Sequence, residues 1–365
     1  MDHTLYMRRC LQLAKLGGAN VAPNPMVGAV LVFNDRIIGE GFHQFYGKAH
    51  AEVNCINSVS DADKKLIPLS TLYVSLEPCA HFGKTPPCAD LIIQLKIPTV
   101  IIGCRDPFEK VDGKGIEKLR AARVNVETGI LEEECTTLNK RFFTFHTKKR
   151  PYVILKWAQT ANAFIANPDP SNDRLRISNA YSNRFVHKWR SQEASILVGT
   201  NTALYDDPEL TTRLWPGKSP IRLVLDMNLR LPHRLKVFDR SVRTIVFNSI
   251  KEEDANEILY YRLTGNENIA KQIVNALYQL DIQSVLVEGG AKLLQSFIDT
   301  EIWDEAKVIT NTRLTLGNHQ NPVNGLRAPV LNSAQFVEEI ILGSDTIKKC
   351  MRAEQPFNLK YQNDS

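Results

Sequence analysis

Twice along its 365 residues the chain alternates short β-branched apolar runs with segments of helical periodicity, and one basic break separates the two series. Strands that alternate with helices bury their faces only in layered α/β architectures, so the pattern predicts two α/β domains. In the first series, Leu5 to Leu16 reads as an amphipathic helix stopped by Gly17-Gly18. Val27 to Phe33 and Arg36 to Gly41, joined by Asn34-Asp35, read as a hairpin. A helix from near Ala49, a strand at Thr71 to Leu76, a helix from about Cys88 to Leu95 and a strand at Thr99 to Gly103 follow. After the cluster Lys148-Lys149-Arg150, Pro151 to Lys156 opens a new strand. Further strands are predicted at Ala194 to Gly199, Ile221 to Asp226, Thr244 to Asn248, Ser284 to Glu288 and Ala306 to Thr310. The expected division is 1–146, 147–344 and a polar tail at 345–365.

Composition excludes several classes. A hydrophobic content of 43% is ordinary for a chain with sizeable cores, and no stretch approaches the roughly 20 apolar residues of a membrane span. The N-terminal segment lacks the pattern of a secretion signal, so a cytoplasmic location is expected. Seven cysteines, an odd number, argue for metal ligation over a disulfide framework. The net charge of +5 is spread along the chain, which predicts no nucleic-acid partner.

Three elements of the first half carry chemistry: Pro23-Asn24-Pro25, His50-Ala51-Glu52, and Pro78-Cys79 followed after eight residues by Cys88. One His and two Cys supply three zinc ligands and leave a fourth position for water, as in catalytic sites. Glu52, beside the ligand His50, is placed to move a proton between that water and a departing amine. His-x-Glu followed by Pro-Cys is the signature of zinc nucleobase deaminases. The signature departs at its second half, where residues 80–87 separate the cysteines. His43 and His81 are alternative ligands by type; His81 is expected to contact substrate or solvent, and His43 to pack or hydrogen-bond beside the hairpin. Cys10, Cys55, Cys104, Cys135 and Cys350 lack partner spacing and are expected in cores.

The run from Glu77 to Cys88, Glu-Pro-Cys-Ala-His-Phe-Gly-Lys-Thr-Pro-Pro-Cys, resembles the deaminase half of the bifunctional riboflavin-biosynthesis deaminase-reductase family. The resemblance implies a cytidine-deaminase-like α/β/α domain with one zinc ion. It also implies that Asn24 and Lys84 hold a pyrimidine ribose phosphate, a role that suits Lys84 as a mobile point charge.

The second half lacks a Gly-x-Gly-x-x-Gly fingerprint after its first strand, so a Rossmann site is not expected. Its ordered segments 157–166, 197–202, 206–213 and Val287-Glu288-Gly289-Gly290 resemble the reductase half of the same family, related in fold to dihydrofolate reductase. Glu288-Gly289-Gly290 ends a strand and leads into a helix at Ala291, so bare backbone and a helix N-terminus can approach a phosphate. The resemblance places Ala158, Thr202, Asp206, Gly289, Gly290 and Ala291 on NADPH positions. It places Arg190, Leu210, Arg213 and Glu288 on substrate positions, the two arginines suiting phosphate through their planar forks. The chain departs from the family at Ala161-Asn162-Ala163, where Leu-Asp-Gly is common, and at Leu175-Arg176, where Gln-Trp is usual.

The resemblance implies two successive reactions in riboflavin biosynthesis. One is hydrolytic deamination of 2,5-diamino-6-ribosylamino-4(3H)-pyrimidinone 5′-phosphate. The other is NADPH-dependent reduction of the ribosyl group, giving 5-amino-6-(5-phosphoribitylamino)uracil. A deaminase with a degenerate second domain, an RNA deaminase and a structural zinc module are the alternatives. An RNA enzyme would carry a basic, aromatic-laced face, and a structural zinc four protein ligands. A homo-oligomer without membrane contact is expected.

Overall fold

The computed structural model describes residues 2–83, 86–166, 175–317 and 325–353. The chain divides into two compact units, Met1–Pro151 and Tyr152–Ser365.

The first unit contains α1 (His3–Lys15), β1 (Gly28–Phe33), β2 (Arg36–Phe42), α2 (Ala51–Asn57), β3 (Thr71–Leu76), α3 (Cys88–Gln94) and β4 (Thr99–Cys104). It is completed by α4 (Lys114–Ala121), β5 (Asn125–Thr128), α5 (Glu132–Leu138) and α6 (Lys140–Lys148). Its sheet has the order β2-β1-β3-β4-β5, with β1 antiparallel to both neighbours and β3, β4 and β5 parallel. Successive residues of a strand point to opposite faces, and β1 shows the result. Ala29 and Leu31 pack with α2, α3 and α4, whereas Val30 and Val32 pack with α1, α5 and α6. The α/β/α layering expected for this half is present. The break expected at residue 146 instead lies inside α6, which continues to Lys148 because its aromatic face, Phe142 and Phe143, is buried under the sheet.

The second unit contains β6 (Tyr152–Thr160), β7 (Phe164–Ala166), α7 (Ala180–Gln192), β8 (Ser195–Gly199), α8 (Thr200–Asp206), β9 (Ile221–Leu225), β10 (Thr244–Asn248), β11 (Glu253–Ala255) and β12 (Ile258–Arg262). There follow α9 (Ile269–Gln279), β13 (Ser284–Val287), α10 (Ala291–Asp299), β14 (Glu305–Asn311), β15 (Leu326–Arg327), β16 (Ala334–Leu342) and β17 (Asp345–Arg352). Ten strands form one sheet in the order β11-β12-β10-β9-β8-β13-β6-β14-β17-β16, parallel from β12 to β14 and antiparallel at both ends. Helices α9 and α10 cover one face of it, α7 and α8 the other.

The tail expected from residue 345 is a correction. Residues 345–352 form β17, paired with β14 on one side and β16 on the other. Only Ile347 of its apolar residues is fully buried, so side-chain pattern gives little sign of a strand whose stability comes from two flanking ladders. At the departure from the family pattern, Ala163 adopts φ 61, the left-handed region where glycine is at ease. Asn162 bridges this turn, accepting from Thr160 Oγ1 and donating to the Leu316 carbonyl, both at 2.8 Å.

Candidate active sites in the two units

In the first unit three chain segments converge beyond the end of β3, the central strand of the sheet. His50 is the N-cap of α2 and Glu52 lies in its first turn; Cys79 follows β3; Cys88 begins α3. His50 Nδ1 lies 3.6 Å from Cys79 Sγ and 3.4 Å from Cys88 Sγ, and the three donor atoms fall within 4.8 Å of one another. Tetrahedral ligands bound to zinc at about 2.0–2.3 Å stand about 3.5–3.8 Å apart, so the donor set fits the ion in separation as well as in chemistry. The Cys88 amide donates to Cys79 Sγ at 3.3 Å. The Cys79 thiol is lowered to about 4, first by its hydrogen bond with the Cys88 thiol and then by His50, and Cys88 is pushed up in return. Two sulfurs that cannot both ionise when bare are suited to a shared cation.

Glu52 is 3% exposed, and burial raises its carboxyl above the usual range. Asn24 reaches this group through a histidine: its Nδ2 lies 3.2 Å from His43 Nε2, and the His43 ring stands edge-on to His50 at 5.4 Å. His43 also bonds the Ala49 carbonyl through Nδ1 at 3.0 Å, so it is a hydrogen-bonding residue beside the hairpin, as expected. His81 packs edge-on to Phe108. Lys84 lies outside the described residues. Of the remaining cysteines, Cys10, Cys55, Cys104 and Cys135 are in cores, and Cys350 is half-buried.

Glu77 has a role that the motif does not reveal. Its buried carboxylate accepts four backbone N–H groups, from Asp106 at 3.2 Å, Gly113 at 3.0 Å, Gly115 at 2.9 Å and Ile116 at 3.2 Å. It ties the end of β3 to the start of α4 immediately before Pro78-Cys79. Gly115 is required there, since a Cβ would lie 1.9 Å from the Pro78 carbonyl oxygen. The acid preceding Pro-Cys was the available signal; its partners are distant in sequence.

In the second unit Glu288, just past β13, meets Arg190 of α7 through two hydrogen bonds of 2.8 and 2.7 Å, and Arg190 Nη1 also donates to the Thr211 carbonyl at 3.2 Å. The Arg190 fork therefore grips a carboxylate of its own chain. Lys156 of β6, unassigned from sequence, stands 3.6 Å from Glu288. A lone lysine in an otherwise buried strand was its only mark. Burial alone would raise Glu288, but Arg190 and then Lys156 outweigh it and hold the carboxyl down to about 2.

Leu210 is buried with φ 56, while Arg213 is half-exposed and pairs with Glu209 at 2.6 Å. Thr202 accepts the Gly290 N–H at 3.0 Å, and a Cβ on Gly289 would come within 2.9 Å of Thr202. The turn before Ala291, where α10 begins, is thus packed closely on Thr202. Ala158 lies on β6 two positions beyond Lys156, and Asp206 closes α8 one turn after Thr202. The segment 167–174 lies outside the described residues.

Residues 1–104 match the family described as the cytidine and deoxycytidylate deaminase zinc-binding region, and residues 151–337 that described as the RibD C-terminal domain. The riboflavin biosynthesis protein RibD of Aquifex aeolicus is 40% identical over 309 residues, which cover 83% of this chain and 85% of that one. That of Actinobacillus pleuropneumoniae is 36% identical over 333 residues, 88% of this chain and 86% of that one. The crystal structure of a diaminohydroxyphosphoribosylaminopyrimidine deaminase/5-amino-6-(5-phosphoribosylamino)uracil reductase from Thermotoga maritima superposes with a TM-score of 0.83 at 38% identity, covering 96% of this chain and 98% of that chain. With both halves matched in order over most of its length, the chain belongs to the RibD family and is a bifunctional deaminase-reductase of riboflavin biosynthesis.

Proposed function

We propose that the first unit holds one zinc ion on His50 Nδ1, Cys79 and Cys88 and deaminates 2,5-diamino-6-ribosylamino-4(3H)-pyrimidinone 5′-phosphate. On this reading the second unit then reduces the ribosyl group of the product to ribityl with NADPH. The observation that carries it is the packing of the three ligand atoms within 4.8 Å, with a buried Glu52 beside them. Zinc, when bound, supplies Lewis acidity and an activated water. Glu52, raised by burial, would be the group that carries a proton from water to the leaving amine, the ring gaining the oxygen as ammonia departs. Asn24 and Lys84 hold the pyrimidine and its phosphate.

In the second unit, Ala158, Thr202, Asp206 and the turn Gly289-Gly290-Ala291 hold NADPH, which supplies hydride. Arg213 and Leu210 meet the substrate. Arg190 contributes indirectly as the partner that keeps Glu288 ionised. Metal analysis combined with ammonia release and NADPH consumption on the diaminopyrimidine substrate tests the whole reading. Absence of either product step, with stoichiometric zinc present, would overturn the corresponding half.

The same reading includes a homo-oligomer in the cytoplasm. Among the described residues β16 is an edge strand without an outer partner and leaves Phe336, Val337 and Ile341 exposed, a surface suited to a second copy. All seven cysteines are free, which suits a reducing compartment. Sedimentation of the protein with and without Ile341→Lys tests the edge.

A further inference from the structure

The segment that carries Leu210 and Arg213 is gripped from outside at alternate residues. Arg222 of β9 is 0% exposed. Its Nε donates to the Glu209 carbonyl at 2.8 Å, its Nη1 to the Lys236 carbonyl at 3.2 Å and to Asp239 Oδ1 at 2.6 Å, and its Nη2 to Ser241 Oγ at 3.1 Å. Arg190 holds the Thr211 carbonyl. His187 Nδ1 accepts the Arg213 N–H at 3.0 Å. Among these anchors the buried Leu210 keeps φ 56, a conformation that a leucine holds only when its surroundings determine it.

The arrangement is specific in what it binds. A guanidinium taken wholly out of water is costly unless its donors are matched, and an apolar residue on β9 would fill the same space more cheaply. Arg222 sits between Ile221 and Leu223, yet its described partners all lie in connecting segments, Glu209 on one side and residues 236–241 on the other. It fixes a loop rather than the sheet. His187 is equally committed. Burial, followed by the nearby Arg190 and Arg213 charges, lowers its imidazole to about 4, so near neutral pH it is uncharged and its Nδ1 lone pair is available to the Arg213 amide.

We propose that His187 and Arg222 are positioning residues of the reductase: they hold Glu209 to Arg213 in one shape, so that Leu210 and Arg213 present a ready-made surface to the phosphorylated sugar of the substrate. The inference rests on the reading that Leu210 and Arg213 meet the substrate. A preformed loop lowers the ordering cost of binding, so its loss appears in KM more than in kcat.

The test uses the full-length holoenzyme and deaminated substrate, with NADPH oxidation, NADPH affinity and ammonia release measured in parallel. His187→Ala is expected to raise KM about tenfold, with kcat within about threefold and NADPH affinity unchanged. His187→Asn, whose Oδ1 can accept the same N–H, is expected to bring KM back to within about threefold of the parent. Arg222→Lys, which loses most of the fork, is expected to raise KM in the same way without altering ammonia release. A His187→Ala KM within about twofold of the parent, in a protein where Arg213→Ala raises it about tenfold, overturns the clamp and leaves the substrate reading standing. KM unmoved in both overturns the substrate reading and the clamp with it. Equal loss of kcat and NADPH affinity without rescue by asparagine also overturns the clamp, in favour of a merely structural histidine. Should Arg222→Lys fail to fold, the two His187 variants decide the matter.

Discussion

Arg190 closes on Glu288 through Nε and Nη2 at 2.8 and 2.7 Å, although the two residues are 98 positions apart in the chain. The pair links α7 to the end of β13 at the place where a substrate is expected. It also makes the stability of the second unit sensitive to acid.

The Glu288 carboxyl is held at about 2 when folded, against 4.5 for a free glutamate. A depressed folded value contributes stability above the unfolded value, and that contribution is lost as pH falls from about 4.5 through about 2. Thermal unfolding followed from pH 7 to pH 2 should show a steeper loss over this window in the parent than in Glu288→Gln. At pH 7 the variant should be less stable by about 3–5 kcal/mol, because the buried Arg190 loses its counter-charge. Parallel curves for the two proteins would remove Glu288 as the acid-sensitive group.

Glu52→Gln should retain stoichiometric zinc and lose deamination by about 10²–10⁴-fold, since the amide preserves size but carries no proton. The same protein should reduce already deaminated substrate at the parental rate, because its second unit is untouched. Ammonia release within a few-fold of the parent would show that another group moves the proton.

Cys88→Ser should behave differently, losing the metal itself, because a serine hydroxyl does not replace a thiolate on zinc. Metal analysis after exposure to a chelator separates the two variants. Normal zinc content in the serine protein would mean that the spacer between the cysteines has been misread.

Glu77→Ala should destabilise the first unit by about 3–5 kcal/mol, since four buried amides lose one shared acceptor. It should also speed zinc release to a chelator, because the Pro78-Cys79 segment loses its anchor to α4. An unfolding midpoint and a zinc off-rate both equal to the parent's would count against this role.

Ala163→Gly should leave both activities intact and raise the unfolding midpoint slightly. Alanine at φ 61 carries about 1–2 kcal/mol of strain that glycine avoids, partly offset by the greater entropy of glycine when unfolded. A lower midpoint would show that the Ala163 side chain contributes packing that outweighs the strain.

The order of the sequence by itself determined the layered α/β class, the His50, Glu52, Cys79 and Cys88 group and the family. Each is written locally: β-branched runs mark buried strands, and zinc chemistry needs a fixed set of residue types near helix starts. Strand β3 at Thr71–Leu76 and strand β10 at Thr244–Asn248 fall where the apolar runs placed them. What only the tertiary structure decided is pairing over distance. Strand β17 is polar and reads in sequence as a tail, because its stability comes from ladders with β14 and β16 on either side. By type Arg190 suits a phosphate, and only the fold shows that it shares Glu288 with Lys156. His187 and Arg222 carry no motif at all, and Glu77 stands in one that gives it no partners. Their roles come from backbone groups that folding brings to them, and a backbone N–H or carbonyl has no letter in the sequence.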